Sequence, residues 1–507
     1  MKAGQLEPSF PLQTVTWSLV LSVMASVLRS LQIGYHTGNI NAPQMVIEEF
    51  FNQTWKERFQ EPMSLHALTM LWSFTVSTLA LGATVSALTV GIVADHYGRY
   101  MHNSILTANS LSLMAVGFMG VSKIAGSLEA LIVGRFLIGL FCGLNMTLIP
   151  LYIQEISPTR RRLLPPPTGH EIMFSGKFLS ISWFQIMSLE NVLGTSRWWP
   201  LMLSLSAIPA VLQYLTLPFC PESPRYFIIN CHEDELAASE LQRLRGTQDV
   251  LEEIEEMKEE AANLKGTEDV TMLRLFIVPS YKQPILIALI LNASSQLSGF
   301  NVSTKIFCLA GVAHPTHTTM GIGAINILFT IFSLFRSKGQ SNTMNGNLHG
   351  GAGHWCISVL PISLHLRTQG EVPWTKYFLI LALFTMVAFY EIGPGPISWY
   401  ITAELFSQSA RPVAMGLTSS WNWFHKFIVA MFYQPLLHLV GPYVFLLFTG
   451  FLLVAVLYTF FRVPETRSRT FKEVAAEFRQ ADVPLSDMHP LPAGLEAGEV
   501  GSMVGVQ

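Results

Sequence analysis

The sequence predicts an all-α membrane protein of twelve transmembrane helices arranged as two six-helix pseudo-repeat bundles. Three observations predict it. Of the 507 residues, 50% are hydrophobic and only 13% are charged, with a mean hydropathy of +0.39, a balance that belongs to polytopic membrane proteins rather than soluble enzymes. The apolar residues fall into runs of about 20, the length a helix needs to cross the hydrocarbon layer. Two polar motifs also occur twice. Glu155 and Arg162 of Glu155-Ile156-Ser157-Pro158-Thr159-Arg160-Arg161-Arg162 have counterparts in Glu404 and Arg411, and Pro221-Glu222-Ser223-Pro224-Arg225 recurs at nearly the same interval as Pro464-Glu465-Thr466-Arg467. A membrane protein built from two similar halves places a solute site at their interface and exposes it to either side by rocking them. The chain therefore reads as a carrier.

In chain order, the first run, near 12 to 33, is long enough to span and lacks a small-residue cleavage site, so it reads as a retained helix rather than a signal peptide. Further spans lie near 67 to 94, 103 to 122, 130 to 153, 170 to 189 and 199 to 219. A second set follows near 281 to 303, 317 to 335, 348 to 366, 376 to 403, 411 to 434 and 441 to 461. Lys177 and Pro361 interrupt two of these runs. Between the sets, Asn230 to Arg274 carries Glu252-Glu253-Ile254-Glu255-Glu256-Met257-Lys258-Glu259-Glu260, with apolar residues at helical spacing, which reads as short amphipathic helices with a solvated acidic face. The expected organisation is a six-helix bundle over 1–219, a cytoplasmic linker over 220–278, a second bundle over 279–465 and a cytoplasmic tail over 466–507, largely disordered after 480.

Short loops on one side hold Arg99, Arg160, Arg161, Arg162, Arg336, Lys338 and Arg411, and the tail adds Arg462, Arg467, Arg469 and Lys472. This bias assigns that side, and both termini, to the cytoplasm. Asn52-Gln53-Thr54 then lies outside the cell, with Asn52 as a glycosylation acceptor, whereas the sequons at Asn292 and Asn301 fall in or beside a predicted helix. A net charge of -3 without a long basic block excludes a nucleic-acid partner. The five cysteines, Cys142, Cys220, Cys231, Cys308 and Cys356, show neither CxxC nor Cys/His ligand spacing. No GxxxxGK[ST] loop offers ATP-driven pumping, so an enzyme is disfavoured and neither a cofactor nor a metal is expected.

A neutral, hydroxyl-rich ligand needs side chains that both donate and accept hydrogen bonds, and aromatic faces to cover the sugar ring. Candidates are Gln296 and Asn301 on the seventh span, Asn326 on the eighth, Trp399 on the tenth, and Asn422 and Trp423 on the eleventh. The alternative for any one of them is helix cross-linking by amides and packing or interfacial anchoring by tryptophans. Gly393-Pro394-Gly395-Pro396 interrupts the tenth span and is a candidate hinge, against the alternative of a packing kink. Glu155, Arg162, Glu404 and Arg411, at predicted cytoplasmic helix ends, are candidates for a charge network that holds the inner side closed.

These motifs, joined by Gly34-Tyr35-His36-Thr37-Gly38 and Gln296-Leu297-Ser298-Gly299, are familiar as a set. From about Thr16 to Phe478 the chain resembles the sugar porter family of the major facilitator superfamily, most closely the class I facilitative glucose transporters. The resemblance implies a uniporter that carries hexose down its gradient across the plasma membrane by alternating access, with D-glucose first and fructose or a related hexose as alternatives. It also implies sugar-binding roles for Gln296, Asn301, Asn326 and Asn422, pocket aromatics at Trp399 and Trp423, a tenth-helix acid at Glu391, and Arg99 as a member of the charge network.

The chain departs from that pattern in places. Ser295 stands where the family has the first of two glutamines, Phe174 stands at its fifth-helix glutamine, and the stretch after Asn301 is shortened. Gly98-Arg99-Tyr100 keeps one arginine of the Gly-Arg-Arg signature, and Gln340 to Asn347 replaces the other copy. Lys426 occupies an expected asparagine position, where an unpaired buried ammonium costs several kcal/mol. Two further functions follow from such departures: a transport-deficient homologue or sugar sensor, and a proton-coupled symporter using His36, which stands where related symporters carry an aspartate.

Overall fold

The computed structural model describes residues 16–40, 43–96, 101–156, 193–265, 270–297, 321–329, 375–406 and 410–462, with 318 and 331–332. Among them every regular element is helical. The N-terminal half supplies α1 (Trp17–Gly38), α2 (Gln44–Phe59), α3 (Leu65–His96), α4 (Met101–Val121), α5 (Leu128–Ile156), α6 (Trp199–Ser204) and α7 (Ala207–Thr216). Next come α8 (Asp234–Arg245), α9 (Leu251–Lys265) and α10 (Met272–Ile277). The C-terminal half supplies α11 (Pro279–Leu297), a helical stretch at 321–329, α12 (Thr375–Ile392), α13 (Pro394–Leu405), α14 (Arg411–Val440) and α15 (Val444–Arg462). Helices α1, α3, α5 and α15, and the stretch Trp199–Phe219, contain segments long and apolar enough to cross a bilayer. The expected spans 170–189 and 348–366 lie outside the described residues, as does the tail after 462.

Helix ends differ from the apolar runs for local reasons. Helix α1 starts where the Thr16 hydroxyl accepts the Leu19 N–H at 3.3 Å, an N-cap that a hydropathy run does not register. Helix α14 passes through Pro435 to Val440 and stops at Gly441, whose φ of +63° carries no Cβ penalty in glycine. The single span expected over 199–219 is two helices. Pro209 has no N–H for the Leu205 carbonyl, and the Ile208 N–H takes that carbonyl at 3.1 Å instead. The tenth span is likewise split. Gly393, at φ −121° and ψ −97°, separates α12 from α13, which starts on Pro394.

Helices α3 and α5 touch at backbone level. A Cβ on Gly139 would sit 2.1 Å from the Leu79 carbonyl oxygen, and one on Gly82 would sit 2.3 Å from that of Phe136. Small residues permit this approach where no hydrophobic effect drives helices together. The same α3 packs against α14, so it forms the seam between the halves. The Ser77 hydroxyl meets Met431 Sδ at 3.7 Å and the Ser420 hydroxyl donates to the Thr84 carbonyl at 3.1 Å, an order that makes the two helices antiparallel. One core cluster, built on Ile33, Phe51, Phe141 and Trp199, takes in Trp423 of α14 and has Trp399 of α13 packed against it. The C-terminal half keeps separate clusters around Phe445 and Phe448 and around Leu275 and Ile401.

The linker helices dock on the end of α5. Arg245, 4% exposed, donates Nη1 to the Ile156 carbonyl at 2.9 Å and pairs with Glu253 of α9 at 3.0 Å. A cation at a helix C-terminus satisfies an orphan carbonyl and meets the negative end of the helix dipole. The Thr16 hydroxyl donates to the Leu244 carbonyl at 2.7 Å, which ties α1 to the same place. Along α9, Ile254 and Met257 are buried while Glu252, Glu255, Glu256 and Glu259 are exposed.

Candidate functional site

Among the described residues, two groups of buried polar side chains bear on a solute site. The first joins α11, α13 and α14. Asn292 donates Nδ2 to the carbonyls of Ala288 at 2.9 Å and Ser398 at 3.0 Å. Asn422 donates Nδ2 to Asn292 Oδ1 at 3.2 Å and to Ser295 Oγ at 3.1 Å. Asn292, Ser295 and Asn422 are all buried, and their hydrogen bonds link α11, α13 and α14. The sequon at Asn292 is accordingly closed to modification. The Gly393 break contributes directly. It lets α13 restart, and the Ser398 carbonyl that Asn292 reaches lies one turn into the new helix.

The second place is a cavity of about 100 Å³ between the halves. Its walls include Thr37 of α1, Ser73 of α3 and Arg135 of α5 on one side, and Lys426, Tyr433 and Gln434 of α14 on the other. A water needs about 10 to 15 Å³ on this measure, so the space holds several waters or a small polar solute. Arg135 is 2% exposed and donates Nη1 to the His36 carbonyl at 2.8 Å. Its Nε, the hydroxyls of Ser73 and Tyr433, and Gln434 Oε1 are buried without a hydrogen-bond partner among the described residues. Buried polar atoms normally have partners. Lys426 Nζ stands 4.7 Å from the centroid of the Trp423 ring, within cation–π range. That contact supplies an attraction the bare substitution of an ammonium for an amide would lack. No Asp or Glu lines the cavity among the described residues. Glu48, which accepts the Gln44 amide at 2.7 Å, lies beyond its wall.

The residues singled out from sequence are dispersed over this arrangement. Asn422 sits in the amide cluster, and Gln296, half-buried near the end of α11, contacts Ser295 Oγ at 3.5 Å. Trp423 is buried between the cavity wall and the N-terminal core, with its face toward Lys426 and Nε1 without a partner among the described residues. Half-buried Trp399 packs against the same core. Glu391 and Asn326 are buried, on α12 and on the stretch at 321–329. Asn301, Arg99 and Arg162 lie outside the described residues, and the side chains of Glu404, Pro394 and Pro396 are likewise not described. Half-buried Glu155 lies in the last turn of α5, and Arg411 opens α14 and donates to the Phe406 carbonyl at 3.4 Å. A Cβ on Gly395 would meet the Tyr390 carbonyl oxygen and ring at 2.9 Å, so α12 and α13 approach closely at the break. Asn52 is exposed on α2, its Oδ1 accepting the Met63 N–H at 3.2 Å.

Sequence reasoning passed over Arg135, Ser73, Tyr433, Gln434 and Asn292. For Arg135 a signal existed: a lone arginine inside the apolar run near 130 to 153 is a functional candidate by default. Ser73 and Tyr433 carried none, because serine and tyrosine are ordinary in membrane helices. The arrangement offers donors, acceptors, cations and aromatic faces for binding. Among the described residues no group of side chains could hold a metal ion.

Comparison with known proteins agrees with this architecture. The family model described as sugar (and other) transporter matches residues 21–478. Solute carrier family 2, facilitated glucose transporter member 1 of Gallus gallus is 44% identical over 480 residues, covering 94% of this chain and 96% of the relative. Facilitated glucose transporter member 3 of Homo sapiens is 43% identical over 470 residues, covering 92% and 93%. Among solved structures, the proton:xylose symporter XylE bound to 6-bromo-6-deoxy-D-glucose superposes with a TM-score of 0.72 over 90% of this chain and 98% of that one, at 19% identity. Its inward-open form superposes at 0.71 over 91% and 100%, at 20% identity. At such identity these structures speak for the fold, that of a major facilitator superfamily transporter.

Proposed function

Because the chain belongs to the sugar (and other) transporter family, we propose that it is a facilitative hexose carrier, with D-glucose as its first substrate. It moves sugar down its gradient across the plasma membrane by alternating access. One observation carries the reading: 44% identity to a facilitated glucose transporter along 94% of the chain. A polar cavity between helices of opposite halves supports it, since rocking carriers hold solute at such an interface. In this reading twelve helices form bundles over 1–219 and 279–465, joined by a cytoplasmic linker over 220–278. Both termini face the cytoplasm, and Asn52 bears the glycan. Gln296, Asn301, Asn326, Glu391, Trp399, Asn422 and Trp423 contact sugar, and Gly393 to Pro396 form the hinge. Arg99, Glu155, Arg162, Glu404 and Arg411 form the inner gate.

The test is uptake of labelled glucose and fructose into proteoliposomes holding the purified full chain. Saturable flux that stereoisomers inhibit is expected; no saturable flux with either sugar overturns the reading. The same vesicles decide between uniport and proton coupling, since uniport leaves lumenal pH unchanged as sugar enters. A non-transporting sensor is the second reading, favoured by the Asn422 amide being engaged within the protein. Sugar-induced change in tryptophan fluorescence without flux is its signature.

A further inference from the structure

We infer that Asn422 meets sugar only as a hydrogen-bond acceptor, because Asn292 and Ser295 act as positioning residues that fix which end of its amide faces the solute. The inference rests on the carrier reading, with Asn422 as a sugar contact, and names the chemistry of that contact. Backbone carbonyls, which can only accept, set the orientation. Asn292 gives its Nδ2 to the carbonyls of Ala288 at 2.9 Å and Ser398 at 3.0 Å, so the end it turns to Asn422 is Oδ1. Asn422 thus faces that acceptor at 3.2 Å and a further one, the Asn292 carbonyl, at 3.3 Å, and it answers both with Nδ2. The Ser295 hydroxyl donates to the same carbonyl at 2.9 Å and takes the Asn422 Nδ2 on its oxygen at 3.1 Å. Turning the Asn422 amide over sets its oxygen against the two Asn292 oxygens and forfeits these bonds.

The end left over is Oδ1. Among the described residues nothing donates to it, yet it is not one of the buried atoms without a partner, so it shares in the residue's remaining 2% exposure. Asn422, Lys426, Val429 and Tyr433 follow one another at i, i+4, i+7 and i+11, which is one face of α14. The last three line the cavity between the halves, so Asn422 stands one turn further along the face that borders it. A sugar hydroxyl that meets Oδ1 has to donate. Hydrogen in its place loses the bond, and so does fluorine, which is small enough to fit but brings no proton. At a contact made by a protein donor, fluorine keeps part of the bond instead. A site built to bond a hydroxyl rejects the analogue lacking it, so this carrier requires a free, donating hydroxyl at the ring position nearest Asn422.

The experiment uses the reconstituted full chain. Labelled D-glucose uptake is competed with D-glucose and with analogues in which each hydroxyl in turn is replaced by hydrogen or by fluorine, and tryptophan fluorescence of the solubilised protein is titrated with the same compounds. At one ring position the hydrogen and fluorine analogues are expected to compete equally poorly, each roughly fivefold or more below D-glucose. In Asn422→Leu that position is expected to lose its importance, with D-glucose and both analogues competing alike. The double variant Asn292→Leu/Ser295→Ala leaves the amide only its longest bond, to the carbonyl of residue 292, and frees it to turn Nδ2 to the solute. There the fluorine analogue is expected to compete roughly threefold better than the hydrogen analogue, whereas Asn292→Gln, which keeps an amide, retains their equality. An unchanged ratio in the double variant, whatever its melting temperature, overturns the positioning role of the pair; where that variant does not reconstitute, the parent series and Asn422→Leu decide. Saturable glucose uptake in which fluorine outcompetes hydrogen at every position, or an equal loss that Asn422→Leu preserves, overturns the inference and leaves the carrier reading intact. The same analogue pattern in fluorescence without flux of any hexose upholds the acceptor contact and overturns the carrier reading, and neither flux nor fluorescence response overturns both.

Discussion

The amide cluster of α11, α13 and α14 and the cavity between α3, α5 and α14 contain similar kinds of residue in opposite states. In the cluster, the Asn422 amide donates to Asn292 and Ser295, and the Asn292 amide donates to the Ser398 carbonyl. At the cavity, Arg135 Nε, Ser73, Tyr433 and Gln434 Oε1 have no partners among the described residues. Both lie deep in the helix packing and both use α14, so burial does not distinguish them. Saturation does. A polar group at membrane depth whose hydrogen bonds close within the protein cross-links helices in this conformer and must exchange those bonds to meet solute, whereas one whose hydrogen bonds stay open is already placed to meet it.

The largest expected effect comes from forcing the backbone that supports the cluster. A Cβ at position 395 would already stand 2.9 Å from the Tyr390 carbonyl oxygen, and Gly395→Leu adds three more carbons beyond it. Overpacking of this kind costs about 1 to 3 kcal/mol, and solute exchange in proteoliposomes is expected to fall by roughly tenfold or more. Unchanged exchange with an unchanged melting temperature makes the break a packing kink and separates it from the cluster. The next effect is on stability. Asn292→Leu removes the group that bridges Ser398 and Asn422 and is expected to destabilise the protein by about 1 to 2 kcal/mol, seen as a lower melting temperature with or without sugar. An unaltered melting temperature means the cluster does not hold these helices.

Tyr433→Phe probes the other region and sharpens the contrast. Its hydroxyl has no partner to lose among the described residues, so stability is expected to stay within about 0.5 kcal/mol of the parent. If the hydroxyl meets solute, affinity falls by about 0.5 to 1.5 kcal/mol, a roughly 2- to 12-fold change in the KM of labelled uptake. The reverse outcome, lower stability with unchanged KM, places Tyr433 among the cross-links.

The architecture was legible because bilayer thickness and hydropathy act on whole segments. Helices α3, α4, α5 and α15 fall within a few residues of their apolar runs. What escaped were effects of single backbone groups: the missing N–H of Pro209 that divides the 199–219 stretch, and the freedom of Gly441 that lets α14 run past 434. At the site, residue types were legible and their partners were not. Asn422 stands out in an apolar run, yet only the packing of α11 against α14 shows its amide engaged with Asn292 and Ser295. Lys426 stands out as a charge, yet its place above Trp423 and beside a cavity shared with Arg135 depends on how two halves distant in sequence come together.

The smallest effect tests the seam on which both regions depend. The Ser420 hydroxyl donates to the Thr84 carbonyl at 3.1 Å, a side-chain hydrogen bond from α14 to α3. That carbonyl also belongs to the backbone ladder of α3, so it keeps a donor when the hydroxyl is removed, and such bonds between membrane helices average about 0.6 kcal/mol. Ser420→Ala should therefore shift the melting temperature only slightly. A carrier rocks by letting α3 and α14 change their contact, which a weak bond permits and a strong one resists. The informative measurement is the exchange rate. A small stability change with an exchange rate altered less than about threefold fits a seam that slides at little cost; a loss of stability as large as that from Asn292→Leu makes the seam a cross-link too, and the contrast between the two regions would then not extend to the boundary between the halves.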